Sequence, residues 1–274
     1  MKLSKSNETL PTLPNSISKL LEPKSLVLKM QGRVGDALYY GQLHSGEPVY
    51  LKVGSGYSGN ELNREAERLE WLKGNPIAPQ LLEFWEDDGR SHLLISEIRG
   101  QALHEMSGLR EIQVVTILAK ALRMIHELPV DSCPFTNTLA YEIEEIEGFT
   151  KENRIDVALF SENNEGQTPE DILNRLNKMK ERLKEDIVTH GDFCLPNVLV
   201  ESDDVSGVVD WSKCGVADCH RDFSALDGSI KRNLGEKYIA EFYDAYGISP
   251  KDVDLELINF YKLVDQFHYY ANTD

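Results

Sequence analysis

Short apolar runs dominate the first third of the chain, and their spacing is typical of β-strands. The sequence predicts strands over residues 26–30, 37–43, 48–53, 81–85 and 92–97. Apolar positions 62, 66, 69 and 72 recur at close to helical spacing, which predicts a helix over residues 60–73. The glycine-rich stretch 54–59 is expected to be the connection that leads into this helix.

Beyond Gly100 the pattern changes to that of amphipathic helices. Apolar residues at 112, 115, 119, 122 and 125 follow steps of three and four, and further helices are predicted over 169–185 and from 219 onward. A strand beginning at 186 and a hairpin of 198–200 with 205–210 lie between them. A β-rich start before a helical remainder predicts an α+β chain in two lobes, residues 1–98 and 99–274.

The chain is strongly acidic, with a formal net charge of −17 over 274 residues. Nucleic acid and anionic membranes require a basic surface, so this charge argues against both as partners. It is compatible with a cationic substrate, and equally with a generally acidic, well-solvated surface. No apolar run is long enough to span a bilayer, and the polar N-terminus lacks the apolar core of a signal peptide, so we expect a cytoplasmic protein.

The four cysteines stand at positions 133, 194, 214 and 219, and none of them forms a C-x-x-C pair. A zinc site is therefore not expected, and a disulfide framework is not expected in a reducing compartment. We predict four free thiols.

The strongest chemical motif is the segment from His190 to Asn197, His-Gly-Asp-Phe-Cys-Leu-Pro-Asn, followed thirteen residues later by Asp210. Asp192 and Asn197 have the Asp-x-x-x-x-Asn spacing of a kinase catalytic loop. Asp210 ends an apolar strand, where a kinase places its second metal ligand. Because Mg²⁺ prefers hard oxygen ligands, Asn197 and Asp210 are its predicted ligands and Asp192 the carboxylate that orients the attacking hydroxyl.

The residues that a kinase needs upstream of this loop are also present. Lys52 lies on the third predicted strand, where a kinase carries its phosphate-binding lysine, and Glu65 follows on the next helix as the acid that positions it. Taken singly, a strand lysine is usually a solvated edge residue and Glu65 an exposed helix acid. The joint pattern of Lys52, Glu65, Asp192, Asn197 and Asp210, in the order of a kinase, favours catalytic roles for them. His190 is interpreted as a structural hydrogen-bonding residue.

The loop between the first two strands, Gln31 to Ala37, contains Gly32 and Gly35 where a phosphate-covering loop is expected. It lacks a full G-x-G-x-x-G pattern, so it indicates a nucleotide site only together with the other motifs.

The segment Val188 to Asn197 resembles the catalytic loop of the aminoglycoside 3′-phosphotransferases. Three further stretches resemble the same enzymes in the same order: residues 133–135, 215–218 and 260–265. The resemblance extends from about residue 17 to 268. It implies a protein-kinase-like two-lobed fold, with a small β-rich N-terminal nucleotide-binding lobe and a larger, mostly helical catalytic and substrate-binding lobe.

The resemblance also implies roles for individual residues. Tyr50 stacks on adenine, and the backbone of Ser96 and Ile98 forms the hinge that hydrogen-bonds the adenine edge. Lys213 falls where the family usually has an arginine near the transferring phosphate, and a lysine keeps the charge but loses the two-pronged fork. The implied cofactors are ATP, with GTP as the alternative donor, and Mg²⁺; the implied substrate is a cationic aminoglycoside.

The substrate end departs from the family pattern. Gly228 replaces an arginine, and Arg232 with Asn233 stands where two adjacent acids are frequent. The terminal Asp-Glu-x-Phe becomes Asp265, Gln266, Phe267 and His268, followed by a tail from Tyr269 to Asp274. The remaining candidates for substrate contacts are Glu162, Glu165, Asp265 and Gln266. The acids of the 141–165 insertion are equally well explained as a solvated loop face.

Three hypotheses about function follow from these features. The first is a kinase that phosphorylates the 3′-hydroxyl of an aminoglycoside, and the second is a kinase of the same fold for another small hydroxyl compound. The third is a catalytically silent nucleotide-binding homologue, against which the complete set of kinase residues argues.

Overall fold

The computed structural model describes residues 13–31, 36–163, 166–179 and 182–270. The chain divides into two compact units. The first comprises Met1–Asn63 and Gln80–Glu97, and the second comprises Arg64–Pro79 and Ile98–Asp274. The helix that follows the third strand therefore begins in the first unit and ends in the second.

The first unit is built on a five-stranded antiparallel sheet with the strand order β1-β2-β3-β5-β4. Its elements are α1 (Asn15–Ser18), β1 (Val27–Gln31), β2 (Ala37–Gln42), β3 (Pro48–Ser55), the start of α2 (Gly56–Trp71), β4 (Leu81–Asp87) and β5 (Arg90–Ser96). Alternate residues of β3, namely Val49, Leu51 and Val53, are buried and pack with Ile17 and Leu94 in one core. The five predicted strands are confirmed.

Helix α2 begins at Gly56, four residues before the predicted start, so the glycine-rich stretch is largely helical. Ser58 closes its first turn, because the Ser58 hydroxyl oxygen accepts the N–H of Ser55 at 3.0 Å. A Cβ atom added at Gly59 would lie 3.0 Å from the Ser91 hydroxyl, so the glycine permits close packing against β5. The glycine here serves packing rather than a loop.

The second unit is mostly helical and carries two small antiparallel sheets, β7 with β10 and β6-β8-β9. Its further helices are α3 (Glu111–His126), α4 (Leu139–Lys151), α5 (Val157–Asn163), α6 (Pro169–Met179), α7 (His220–Asn233), α8 (Tyr238–Tyr246) and α9 (Leu255–Tyr270). Its strands are β6 (Gln101–Ala102), β7 (Ile187–Thr189), β8 (Val198–Glu201), β9 (Asp204–Val208) and β10 (Gly215–Ala217). The amphipathic helix predicted around residues 112–125 is confirmed as α3.

The acid-rich segment 141–165 contains two helices, α4 and α5, that the sequence did not predict. Helix α4 buries Leu139, Ile143 and Ile146 in a core shared with α6 and α9. Helix α6 ends at Met179 rather than at residue 185. At Lys184 the backbone N–H donates to the Asp218 carboxylate at 2.7 Å instead of to a helix carbonyl.

Among the described residues, every helix is too short or too polar to cross a bilayer. All four cysteines are free thiols, as predicted.

Candidate active site

Strand β3 carries the two nucleotide-site candidates of the first unit, Tyr50 and Lys52. They are two residues apart and therefore project from the same face of the sheet, opposite the face that buries Val49 and Leu51. Tyr50 is half-buried and meets the Tyr40 ring edge-on, with ring centroids 5.3 Å apart. Burial raises the pKa of Tyr50 above its ordinary value, so the phenol stays neutral at physiological pH.

The predicted hinge begins at Ser96, the last residue of β5. Its backbone N–H donates to the Gln80 carbonyl at 3.0 Å, and its hydroxyl accepts the Gln80 N–H at 2.9 Å. Because this N–H already donates to Gln80, the predicted contact with adenine would have to use the Ser96 carbonyl. Ile98 belongs to the second unit, and Gly35 lies outside the described residues.

Glu65, the predicted partner of Lys52, lies in the part of α2 that belongs to the second unit, and it is only 3% exposed. A carboxylate so deeply buried requires a partner, whereas the sequence alone allowed an exposed helix acid. The pairing of Glu65 with Lys52 stays a prediction.

The catalytic loop follows β7 and is held by the side chain of His190. The His190 Nε2 lies 3.0 Å from the Val209 carbonyl, and Nδ1 lies 3.3 Å from the Asp192 backbone N–H. This pattern assigns the proton to Nε2 and the acceptor role to Nδ1. Both ring nitrogens are thus engaged in the loop, which agrees with a structural rather than a proton-transferring histidine.

A second anchor of the loop is Asp222, on α7, whose carboxylate is fully buried. It accepts the backbone N–H groups of His190 and Gly191, each at 2.8 Å, and Nε2–H of His126 at 3.0 Å. Burial by itself would raise the pKa of Asp222, but the hydrogen bond and charge of His126 bring it below its ordinary value. The helix thereby fixes the two residues that precede Asp192.

The two predicted metal ligands are brought together by a backbone hydrogen bond, in which the N–H of Val209 donates to the Asn197 carbonyl at 2.9 Å. The Asn197 amide donates from Nδ2 to the Asp192 carbonyl at 3.0 Å, which leaves Oδ1 for a ligand. Asp210 has a left-handed backbone with φ of +65°, an unusual conformation for a non-glycine residue. An amide oxygen and a carboxylate fit the ligand preference of Mg²⁺.

Asp192 is solvent-exposed, yet the surrounding protein raises the pKa of its carboxyl by desolvation. The Lys213 cation opposes this rise and favours the charged carboxylate. Gly191, with φ of +83°, lies directly against the Lys213 backbone, and a Cβ atom there would collide with the Lys213 carbonyl. The structure therefore brings Asp192, Asn197, Asp210 and Lys213 together within the second unit.

The substrate-side candidates are divided. Asp265 lies on α9 with its carboxylate 2.7 Å from the guanidinium of Arg221, and Gln266 follows it on the same helix. Glu165 and the side chains of Glu162 and His268 lie outside the described residues.

Sequence reasoning missed the buried groups that hold the site. Asp222 and His126 support the catalytic loop, and Glu142 and Arg221 form a buried ion pair with Nε and Oε1 3.0 Å apart. The sequence offered one signal, namely charged residues within apolar helical stretches. Such residues are rarely buried unless paired, so each of them predicts a buried ion pair or hydrogen bond. Which partner each one meets depends on helices far apart in the chain.

A β-rich unit, followed by a helical unit carrying an Asp-x-x-x-x-Asn loop, defines a phosphotransferase of the protein-kinase type. The model of the phosphotransferase enzyme family matches residues 40–257. The chain belongs to this family and, within it, to the aminoglycoside phosphotransferases, as the relatives show.

An aminoglycoside 3′-phosphotransferase of Niallia circulans is 29% identical over 263 residues, which cover 95% of this chain and 99% of the relative. One from Enterococcus faecalis is 31% identical over 258 residues, covering 91% and 96%. The crystal structure of aminoglycoside-3′-phosphotransferase of type VIII matches with a TM-score of 0.76 at 27% identity, covering 90% of this chain and 93% of that one. The predicted family, α+β fold class and phosphotransferase activity are confirmed.

Proposed function

We propose that the protein transfers the γ-phosphoryl group of ATP to a hydroxyl of an aminoglycoside, namely the 3′-hydroxyl. The observation that carries this proposal is the arrangement of Asp192, Asn197 and Asp210 in the second unit, where the hydrogen bond from Val209 to Asn197 joins the two metal-ligand candidates. The names of the relatives from Niallia circulans and Enterococcus faecalis support the choice of substrate and position.

In this mechanism the nucleotide binds to the N-terminal lobe, residues 1–98, with Tyr50 against adenine and Lys52, positioned by Glu65, on the phosphates. Asn197 and Asp210 would hold Mg²⁺, which would neutralise charge on the phosphates. The remaining lobe, residues 99–274, contributes the acceptor side of the reaction.

The hydroxyl oxygen of the substrate attacks the γ-phosphorus in line, and Asp192 accepts the proton that this hydroxyl loses. The bond from that phosphorus to the bridging oxygen breaks, and ADP leaves. The Lys213 cation favours the ionised form of Asp192 before the transfer, against the desolvation that raises its pKa. Because little covalent chemistry falls to the protein, positioning and electrostatics supply most of the acceleration.

A coupled ADP-release assay with kanamycin and neomycin tests the activity, and mass spectrometry of the products identifies the added phosphoryl group. NMR of the purified product then locates the modified hydroxyl. Turnover no faster than the ATPase background, with either compound, would refute the aminoglycoside assignment.

A kinase of another hydroxyl compound is the second candidate, favoured by the pairing of Asp265 with Arg221. A panel of sugars and amino alcohols in the same assay distinguishes the two functions. A preference for one of these compounds over the aminoglycosides would favour a kinase of another hydroxyl compound.

A further inference from the structure

Helix α7 carries two consecutive charged residues that serve different parts of the second unit. The Asp222 carboxylate holds the backbone of His190 and Gly191, and Arg221 reaches α9 and α4 instead. The group that positions the catalytic loop is thus covalently adjacent to the group that binds the substrate-side candidate Asp265. Arg221 therefore binds the substrate-side candidate from the same helix that holds the catalytic loop.

Arg221 is 1% exposed and meets two carboxylates. Its Nε lies 3.0 Å from Glu142 Oε1, and its terminal nitrogen lies 2.7 Å from Asp265 Oδ1. The contact with Glu142 is an ion pair without good hydrogen-bond alignment, whereas the contact with Asp265 is a hydrogen-bonded ion pair. The ring of Tyr261 lies 5.8 Å from the guanidinium. These contacts favour a fixed position of the guanidinium beside Asp265.

The two carboxylates differ in their access to solvent. The Glu142 side chain is 3% exposed, and the Asp265 side chain is 40% exposed. Asp265 alone of the two can meet a ligand, and among the described residues its ion-pair partner is Arg221. Desolvation, the main cause, raises the pKa of Asp192, and the charges of Arg221 and Asp265 act on that pKa with opposite signs, so both lie near the reacting carboxylate.

We propose that Arg221 is a specificity-determining positioning residue, which occupies Asp265 and thereby weakens the acceptor site's preference for ammonium-rich substrates. The inference rests on the proposed function. In the intact protein Asp265 orients an acceptor by hydrogen bonding, with its charge compensated. An Asp265 without Arg221 is an unpaired anion that attracts each ammonium group of a polycation more strongly.

The test is a double variant, Arg221→Met with Glu142→Gln, which removes one cation and one anion and leaves the net charge unchanged. Methionine fills much of the space of the buried arginine, and glutamine removes the carboxylate charge that the arginine balances. The matched control is Lys120→Gln with Asp204→Asn, which removes an exposed ion pair of 2.6 Å from the same unit. Circular dichroism establishes that both variants are folded.

Kanamycin and neomycin are the probes, because neomycin carries more amino groups. Relative to the wild type, we expect the Arg221 variant to favour neomycin over kanamycin by about three- to fivefold in kcat/KM, the scale of one uncompensated charge near the surface. The change in preference should lie in KM, because any effect on kcat should be the same factor for both substrates, and the control should keep the wild-type ratio. An unchanged or reversed ratio in the folded Arg221 variant overturns the inference.

A thermodynamic cycle with Asp265→Asn separates this effect from a merely structural one. The substitution should cost neomycin less than twofold in affinity in the wild type and about fivefold in the Arg221 variant. Equal losses in both backgrounds overturn the inference. Calorimetry without nucleotide measures the same neomycin affinities independently of turnover. If neomycin binds but is not phosphorylated, the proposed function is refuted, while the cycle still decides on the role of Arg221. Absence of binding in both proteins would overturn both.

Discussion

Replacing Asp222 by asparagine should destabilise the second unit and disorder the catalytic loop. The carboxylate accepts two backbone N–H groups at 2.8 Å and one imidazole N–H at 3.0 Å. Asparagine keeps one acceptor oxygen and turns an NH₂ group against a remaining N–H. Hydrogen bonds to charged groups contribute roughly 1.5–3 kcal/mol each, so loss of the one from Gly191, with weakening of the two that then meet a neutral oxygen, should cost about 3 kcal/mol.

The pH dependence of this difference follows from the lowered pKa of Asp222 in the folded protein. The unfolded state takes up its proton at the ordinary aspartate value of about 3.9, above the folded-state pKa. The stabilisation by Asp222 is therefore fully present above about pH 5 and lost as the pH falls towards the folded-state pKa. Asp222→Asn lacks this dependence, so the gap between the proteins should shrink in acid.

Urea unfolding followed by tryptophan fluorescence measures both effects. Trp211 is fully buried, with its ring centroid 5.0 Å from that of His190, and reports directly on the loop. Asp204→Asn, the same chemical change at an exposed ion pair with Lys120, is the matched control and should leave the midpoint nearly unchanged. A variant within about 0.5 kcal/mol of the wild type, or a gap independent of pH, would refute the reasoning.

Three further substitutions test the loop. Asp192→Ala should abolish phosphoryl transfer while calorimetry finds ATP affinity largely intact; near-normal turnover would contradict the assigned role. Gly191→Ala should lower kcat at least tenfold and reduce stability by about 1–3 kcal/mol, because φ of +83° and the Lys213 backbone exclude a Cβ atom; unaltered thermal unfolding would show that the loop adapts. Asp210→Asn should raise the Mg²⁺ concentration at half-maximal activity at least tenfold in a metal titration, and an unshifted curve would remove Asp210 from the metal site.

The sequence alone was enough to predict the strands of the first unit, helix α3 and the candidate residues for the chemistry, but not helices α4 and α5. Alternating apolar residues such as Val49, Leu51 and Val53 specify one buried face of β3, and this periodicity is a local property. The spacing of Asp192 and Asn197 is likewise local, since both belong to one loop. These features could be predicted because no distant segment decides them.

Tertiary structure decided how the charged residues are used. Helix α4 escaped prediction because its acids read as a solvated loop, although Leu139, Ile143 and Ile146 are buried against α6 and α9. Asp265 could be predicted as a substrate contact, but its pairing with Arg221 joins residues 44 positions apart on two different helices. A buried charge takes its role from the partner that the fold supplies, and only the packing of helices determines that partner.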